Sequence, residues 1–205
     1  MLKMQAMIFA AGLGTRLKPL TDTMPKALVR VGGKPLIERV IEKLKDAGAD
    51  RIVVNVHHFA SQIVGYLKDN DNFGTDIRVS DETDKLLDTG GGIKKAAPLF
   101  DSDKPVVSSR KTKRYLLFDD DMRLKGWTNI EMGEVRSPYP DLNVADCRML
   151  AFSGIHVISP SMFGLMDEFP DKFGIIDFYL KVCDKVVIKG YDKTDLRLMD
   201  VGKLD

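Results

Sequence analysis

The sequence is poor in the residues that mark a disulfide-stapled or metal-clustered protein. It has only two cysteines, Cys147 and Cys183, in 205 residues, which make neither a disulfide framework nor a metal-binding spacing. It also lacks an apolar run near the roughly 20 residues that cross a bilayer, and no signal-peptide segment precedes the first predicted strand. We therefore expect a cytoplasmic protein that does not contact membranes.

A charge excess of either sign is missing as well. The 31 Lys and Arg residues nearly balance the 30 Asp and Glu residues, so the formal net charge is +1. Proteins that bind nucleic acid usually carry a basic surplus. We expect no nucleic-acid partner, and any substrate phosphate has to be met by local positive charge. An oligomer remains possible.

The clearest chemical signal is a loop that follows the first strand-like run. It reads Phe9-Ala-Ala-Gly-Leu-Gly-Thr-Arg-Leu-Lys-Pro-Leu-Thr-Asp-Thr-Met-Pro-Lys26. Gly12 and Gly14 give the backbone the freedom to turn successive N–H groups toward phosphate oxygens. Arg16 and Lys26 add positive charge, so the pattern indicates a phosphate-handling loop.

Two common glycine signatures do not fit this loop. A dinucleotide-binding fingerprint needs a third glycine where the chain has Leu17, followed by a helix that Pro19 and Pro25 disfavour. A P-loop needs a Gly-Lys-Ser/Thr ending, which occurs nowhere in the sequence. The pattern G-x-G-T-R-x-x-P-x-T-x-x-x-P-K instead resembles the signature of the sugar-1-phosphate nucleotidylyltransferases, which join a nucleoside triphosphate to a sugar 1-phosphate and release pyrophosphate.

The resemblance implies roles for single residues. Arg16 and Lys26 would be the catalytic cations, on the leaving pyrophosphate and on the α-phosphate. The residues that would bind the nucleotide are Ala11, Gly12, Gly14, Thr15, Arg16, Thr89 and Gly90. The last two belong to Leu87-Asp-Thr-Gly-Gly-Gly-Ile93, which resembles the base and ribose segment of short muramate- and mannose-phosphate enzymes; a plain glycine turn capping a helix is the alternative.

Three later segments resemble the family's sugar and metal side. The resemblance of Phe152-Ser-Gly-Ile155 implies that the main chain at Gly154 approaches the sugar. The resemblance of Ile176-Asp-Phe178 implies that Asp177 lies on the sugar side of the site and binds the substrate. Leu198-Met-Asp-Val-Gly202 implies Asp200 as a ligand of Mg²⁺, the expected cofactor. The expected partners are a nucleoside triphosphate and a sugar 1-phosphate.

Alternating strand and helix patterns predict an α/β fold: a doubly wound, mostly parallel, twisted and Rossmann-like sheet with a β-hairpin addition. Ligands of such sheets bind at the carboxyl ends of the strands, where the glycine loop lies. The predicted strands are 5–10, 51–56, 77–80 and 149–158, the helices begin at 35, 59 and 92, and hairpin arms 115–118 and 124–127 flank a turn at 119–121.

One departure from the family concerns the stretch after the third helix. Its members carry there a strand ending in an Asn-x-Asp-like motif that holds the metal, then a helix and another strand, whereas here Val107 leads directly into Ser108-Ser-Arg-Lys-Thr-Lys-Arg114. The chain is either a shortened, metal-impaired relative or a single domain, 1–205, that lacks a segment between about 105 and 109. We favour the omission, because the matches resume downstream and loss of a central strand would split the sheet.

Two other functions remain open at this point. A sensor of nucleotides or nucleotide sugars would keep the glycine loop and lose the metal site. A phosphocholine cytidylyltransferase would share the same nucleotide-binding motif.

Overall fold

The computed structural model describes residues 4–101, 106–108 and 115–192. No helix within these ranges has the length and apolar character to cross a membrane. The elements of the first part are β1 (Met4–Phe9), β2 (Arg30–Val31), β3 (Lys34–Pro35), α1 (Leu36–Asp46), β4 (Ala49–Val56), α2 (Ala60–Asp69), β5 (Asp76–Asp81), α3 (Asp88–Ala96) and β6 (Val106–Ser108). Those of the second part are β7 (Tyr115–Phe118), β8 (Leu124–Asn129), β9 (Glu134–Arg136), β10 (Arg148–Ala151), β11 (His156–Ile158) and α4 (Ile175–Val182).

The larger sheet confirms the predicted fold class. Its strand order is β11-β6-β1-β4-β5, in which β6, β1, β4 and β5 are parallel and β11 is antiparallel. The chain runs outward from β1 through β4 to β5 and then returns to the other side of β1 as β6. The direction therefore reverses at β1, and such a switch point opens a ligand crevice at the carboxyl ends of the strands.

Different helices cover the two faces of this sheet, as the alternation along β1 shows. Ala6 and Ile8 pack with the buried residues of α1 and α2, whereas Met7 packs with α3, α4 and the second sheet. Successive side chains of a strand point to opposite faces, so one short strand serves two hydrophobic layers. The near-continuous burial of β1 and β4 is typical of parallel strands covered on both sides.

The second sheet is antiparallel, with the order β10-β7-β8-β9. Its β7 and β8 form the predicted hairpin, and the Asp119 carboxylate closes the turn by accepting a hydrogen bond from the N–H of Arg123 at 2.8 Å. Leu116, Phe118 and Trp127 from this hairpin are buried in the same core as α3 and α4. The two sheets therefore share one hydrophobic layer.

Two predicted boundaries are wrong. α3 begins at Asp88 and not at Gly92, so the glycine cluster lies inside the helix. The long strand predicted over 149–158 is two strands in different sheets, because β10 pairs with β7 and β11 pairs with β6. Gly154 lies between them at φ 80°, a left-handed conformation that interrupts an extended chain.

The place beside β1 on the side away from β4 is filled by β6, whose Val106 and Ser108 align with Gln5 and Met7. The sheet is continuous from β5 to β11. A split sheet was one of the two arguments for an omitted segment, and that argument no longer holds. Both ends of the expected interruption, at about 105 and 109, fall outside the described residues. The omitted segment and the single domain therefore stay predictions.

The consecutive glycines of α3 bring this helix closer to its neighbours than side chains would allow. A Cβ atom at Gly91 would overlap the main-chain oxygen of Asp171, and a Cβ atom at Gly90 would overlap the ring of Phe173. Both glycines have helical φ and ψ angles. They are therefore required for packing and not for an unusual backbone conformation.

We expect Gly91→Ala to lower the free energy of unfolding by about 1 to 3 kcal/mol, because the added methyl group must displace the main chain at Asp171. Gly65→Ala in α2 is the matched control. A Cβ atom at Gly65 meets nothing within 4 Å, and this substitution in a helix should stabilise the protein by about 0.5 to 1 kcal/mol. Urea unfolding compares the three proteins. A Gly91→Ala protein as stable as the wild type would show that α3 does not approach Asp171 this closely.

Candidate functional site

The phosphate loop, residues 10–26, leaves β1 at the carboxyl edge of the larger sheet and folds back at Gly14. Gly14 has φ 67°, and its carbonyl oxygen accepts hydrogen bonds from Leu17 N at 2.9 Å and Thr21 Oγ1 at 3.0 Å. A Cβ atom at Gly14 would lie 3.1 Å from the Cβ atom of Lys26. Glycine suits both this conformation and this contact. The fold-back places Lys26, the last residue of the motif, against the second glycine.

Three other predicted residues of the phosphate loop are open to solvent. Gly12, Thr15 and Arg16 are exposed, and a Cβ atom at Gly12 would meet nothing within 4 Å. Leu17 is buried, at 3% exposure, and anchors the short 3-10 turn that carries Arg16. The outer side of the loop therefore has room for an anionic ligand.

Asn55, which interrupts the apolar residues of β4, holds the start of the phosphate loop from inside. Its Oδ1 accepts hydrogen bonds from the N–H groups of Ala10 at 2.8 Å and Ala11 at 3.3 Å. Its Nδ2 donates to Oε1 of Glu82 at 2.6 Å. The N–H of Ala11 therefore points into the protein, so the predicted nucleotide contact of Ala11 is left to its carbonyl or methyl group.

Glu82 extends this contact to the segment before α3. It is fully buried, and its Oε2 accepts a hydrogen bond from the N–H of Leu87 at 3.2 Å. Its main-chain oxygen accepts one from Nδ1 of His57 at 2.6 Å. Asn55 and Glu82 were not among the predicted site residues. The signal was a polar residue within the apolar run 52–56, because a polar side chain in a buried strand needs a partner.

Thr89 and Gly90, predicted to contact the nucleotide, are buried and make contacts within the chain. Oγ1 of Thr89 accepts a hydrogen bond from the N–H of Ile175 at 3.2 Å, and the N–H of Gly90 donates to the main-chain oxygen of Phe173 at 2.9 Å. A ligand would reach these groups only if residues 171–175 moved aside. Their role in nucleotide binding stays a prediction.

The two predicted sugar-side residues have different surroundings. Gly154 precedes β11 by two residues, and the first residue of β11, His156, aligns with Ser108 at the carboxyl end of β6. This register puts Gly154 at the same sheet edge as the phosphate loop. Asp177 lies in the first turn of α4, where its half-exposed carboxylate pairs with Nη2 of Arg136 at 2.6 Å.

The described residues do not by themselves fit a resident metal ion. Residues 4–101, 106–108 and 115–192 contain no group of three or more His, Cys, Asp or Glu side chains suited to one. Both carboxylate oxygens of the buried Glu82 already accept hydrogen bonds from N–H groups. Asp200, the predicted Mg²⁺ ligand, lies outside the described residues.

His156 of β11 is hydrogen-bonded to α4. Its Nδ1 lies 2.7 Å from the hydroxyl oxygen of Tyr179, and its Nε2 has no hydrogen-bond partner in the described part of the chain. Burial lowers the pKa of His156 to about 4 and raises the pKa of Tyr179. The imidazole is therefore neutral in the folded protein near neutral pH.

The chain resembles known proteins both in sequence and in structure. The Nucleotidyl transferase family matches residues 5–122, more than half of the chain. N-acetylmuramate alpha-1-phosphate uridylyltransferase of Caulobacter vibrioides is 48% identical over 97 residues, 46% of this chain and 40% of that protein. Choline-phosphate cytidylyltransferase of Streptococcus pneumoniae is 54% identical over 66 residues, 32% of this chain and 25% of that protein. The crystal structure of HddC from Yersinia pseudotuberculosis matches with a TM-score of 0.65 and 23% identity, over 92% of this chain and 89% of that one.

The chain belongs to the Nucleotidyl transferase family, in agreement with the resemblance of its loop motif. The likeness to HddC shows the fold, which agrees with the strand order described above. The matched segments span two fifths of the uridylyltransferase and a quarter of the cytidylyltransferase. The activities in those names therefore describe those two proteins.

We expect the free energy of unfolding to fall as the pH drops from about 6.5 toward 4, because His156 takes up its proton near pH 6.5 when unfolded but only near pH 4 when folded. Between these values the unfolded state binds more protons, so stability decreases by up to about 1.4 kcal/mol per pH unit, or roughly 3 kcal/mol in all. Above pH 6.5 this contribution is constant. Urea unfolding at several pH values measures it.

His156→Gln removes the titrating group and should flatten this part of the stability profile. His58→Gln changes an exposed ring and should leave the profile unchanged. The carboxyl groups of Asp76 and Asp81, whose pKa values are lowered by hydrogen bonds from Arg51 and Thr83, act below about pH 4, outside this window. An equally steep decline in the His156→Gln protein would contradict the assignment.

Proposed function

We propose that this protein transfers a nucleotidyl group from a nucleoside triphosphate to a sugar 1-phosphate, giving a nucleoside diphosphate sugar and pyrophosphate. The observation that carries the proposal is the phosphate loop. It folds at the carboxyl end of the central strand β1, with Gly12 and Arg16 open to solvent and Lys26 returned against Gly14. Membership of the Nucleotidyl transferase family supports it.

This reaction depends on positioning and charge neutralisation more than on an acid or a base. A phosphate oxygen of the sugar 1-phosphate attacks the α-phosphorus in line, and the bond between the α-phosphorus and the leaving pyrophosphate breaks. The attacking phosphate monoester is already anionic near neutral pH, so no side chain has to remove a proton. The protein must supply N–H donors and cations along the triphosphate.

The phosphate loop can supply both. We assign the main-chain N–H groups of Gly12, Gly14 and Thr15 to the phosphate oxygens, because this exposed side of the loop can approach a ligand closely. Arg16 is assigned to the leaving pyrophosphate, where its planar guanidinium can bind two oxygens at once. Lys26 is assigned to the α-phosphate and to the incoming sugar phosphate.

The remaining assignments concern the base and the sugar. Thr89 and Gly90 would contact the base and ribose after a shift of residues 171–175, which now cover them. Gly154 lies at the same sheet edge as the phosphate loop, where its main chain could approach the sugar. Asp177 would accept hydrogen bonds from sugar hydroxyls, in competition with its ion pair to Arg136.

Mg²⁺ is proposed as the cofactor, with Asp200 as its protein ligand. When bound to a triphosphate, this ion neutralises phosphate charge. The assignment rests on the resemblance of residues 198–202 to the family's terminal aspartate segment.

A non-catalytic sensor of nucleotides or nucleotide sugars is the second candidate function. It is favoured by the missing Asn-x-Asp motif and by the absence of a metal-binding carboxylate group among the described residues. Phosphocholine cytidylyl transfer is the third candidate, and the similarity to the Streptococcus pneumoniae enzyme favours it. The phosphate loop does not discriminate between the acceptors, because its proposed contacts are to the triphosphate and to the phosphate group that all these acceptors share.

We expect Lys26→Ala to lower kcat by on the order of 10² to 10³, because a preorganised charge contact that strengthens toward the transition state is lost. Triphosphate affinity should fall much less. Lys18→Ala is the matched control, since Lys18 is an exposed cation of the same loop that pairs with Asp22. Pyrophosphate release is measured with a panel of triphosphates and of acceptors, namely phosphocholine and the 1-phosphates of glucose, mannose and N-acetylmuramate, with Mg²⁺ present.

The same assay separates the candidate functions. If wild-type protein binds a triphosphate but releases no pyrophosphate with any pair of the panel, the sensor function is supported and the enzyme function is contradicted. Release with phosphocholine alone would select the third candidate. Turnover that is unaffected by Lys26→Ala would remove Lys26 from the reaction.

Asp200→Asn should abolish pyrophosphate release while the circular dichroism spectrum stays unchanged, because loss of the proposed ligand would remove the charge that the metal provides to the reaction. Asp120→Asn, in the exposed hairpin turn, is the control and should keep wild-type turnover. Both variants are assayed across a Mg²⁺ titration. Full activity of Asp200→Asn would exclude Asp200 as the metal ligand.

A further inference from the structure

Two buried side chains, Asn55 and Glu82, form a polar bridge to which the proposed function assigns no role. Asn55 is 2% exposed and Glu82 is fully buried. Both carboxylate oxygens of Glu82 are bound by neutral N–H groups, from Asn55 Nδ2 at 2.6 Å and from Leu87 N at 3.2 Å. A buried carboxylate held by neutral donors lowers stability relative to an apolar side chain of similar size. Its presence points to a role other than stability.

The bridge connects the phosphate loop to the beginning of α3. At one end, Oδ1 of Asn55 accepts hydrogen bonds from Ala10 and Ala11, the first two residues of the loop. At the other end, Glu82 holds the N–H of Leu87, directly before α3. Gly92 lets α3 lie on the bridge, because a Cβ atom there would be 2.9 Å from Oε1 of Glu82.

We propose that Asn55 and Glu82 are positioning residues that set the orientation of the phosphate loop relative to α3 and thereby the affinity for the triphosphate. The inference rests on the proposed function, since it deepens the role of the same loop. With the N–H groups of Ala10 and Ala11 turned inward, the exposed side of the loop from Gly12 onward is presented to a ligand. The bridge contacts no ligand itself and acts through the loop.

The order of donors and acceptors in the bridge gives a specific test. Glu82→Gln places an NH₂ group against Asn55 Nδ2 or Leu87 N, so one donor faces another. Asn55→Asp places two carboxylates face to face. The double variant Asn55→Asp with Glu82→Gln restores every hydrogen bond, because the new Asp accepts from Ala10, Ala11 and the new Gln, whose oxygen still accepts from Leu87.

The experiment compares wild type, both single variants, the double variant and Ser80→Ala. Ser80 is the matched control: it aligns with Asn55 in the sheet and is buried, and its hydroxyl has no hydrogen-bond partner in the described part of the chain. UTP, CTP and GTP are each titrated by calorimetry without a sugar phosphate. Exchange of the Ala10 and Ala11 amide hydrogens is followed by NMR without any nucleotide.

We expect each single variant to bind the triphosphate at least about 10-fold more weakly and to exchange these two amides at least about 10-fold faster. The double variant should return to within about 3-fold of wild type in both measurements, because paired substitutions in one network are not additive. Ser80→Ala should match wild type. If a single variant fails to fold, recovery of wild-type affinity in the double variant supports the proposal, and weak binding by a folded double variant overturns it.

A fall in unfolding free energy with unchanged triphosphate affinity would show a structural role only and overturn the proposal. Failure of wild-type protein to bind any of the three triphosphates would overturn it too. A wild-type protein that binds a triphosphate without releasing pyrophosphate contradicts the proposed reaction alone. In that case affinity and amide exchange still decide the role of the bridge.

Discussion

The close approach of α3 to its neighbours is the constraint on which the rest of the structure depends. The helix lies against the Asn55–Glu82 bridge on one side and against the segment from Asp171 to Phe173 on the other. Because Gly90 to Gly92 have no side chains, both contacts are made by the helix backbone itself. The core under α3 and α4, the start of the phosphate loop and the beginning of α4 are therefore held by one short helix.

Buried amide side chains hold the central strands at both ends of the sheet. At the amino end, Gln5 donates to the main-chain oxygen of Asp101 at 2.9 Å and accepts from its N–H at 2.7 Å. At the carboxyl end, Asn55 accepts from Ala10 and donates to Glu82. In each amide both the oxygen and the NH₂ group are hydrogen-bonded, as expected for a buried polar side chain. The hydrophobic residues between these ends set the strands in register, and the amides fix the segments that leave them.

The parts of the fold that are encoded locally could be predicted from the sequence. The predicted strands 5–10, 51–56 and 77–80, the helices that connect them and the position of the phosphate loop follow from apolar periodicity and from the glycine motif, and the structure confirms them. The division of 149–158 into two strands was missed, because one left-handed glycine, Gly154, separates strands of two sheets without a change in composition.

The sequence-based prediction of the start of α3, at Gly92, was wrong because of glycines as well. Glycine has a low intrinsic helix propensity, yet tertiary packing keeps Gly90 to Gly92 helical. The bridge between Asn55 and Glu82 joins residues of different strands, so no local pattern predicts the pairing, although Asn55 stands out among apolar neighbours. The roles of Arg16, Lys26, Gly154 and Asp177 remain predictions that rest on the motif and on the places the fold gives these residues.

The strand order has a consequence for how the sheet assembles. The hydrogen bonds from Asn55 and Glu82 to the phosphate loop and to Leu87 lie within residues 10–87, whereas β6 pairs with β1 between residues that are far apart in the sequence, such as Gln5 and Val106. Closing a longer loop costs more chain entropy, so shorter-range pairings are favoured early in folding. We therefore expect the β1–β4–β5 half, with the phosphate loop already anchored, to form early in folding, and the half that depends on β6 and β11 to be added later.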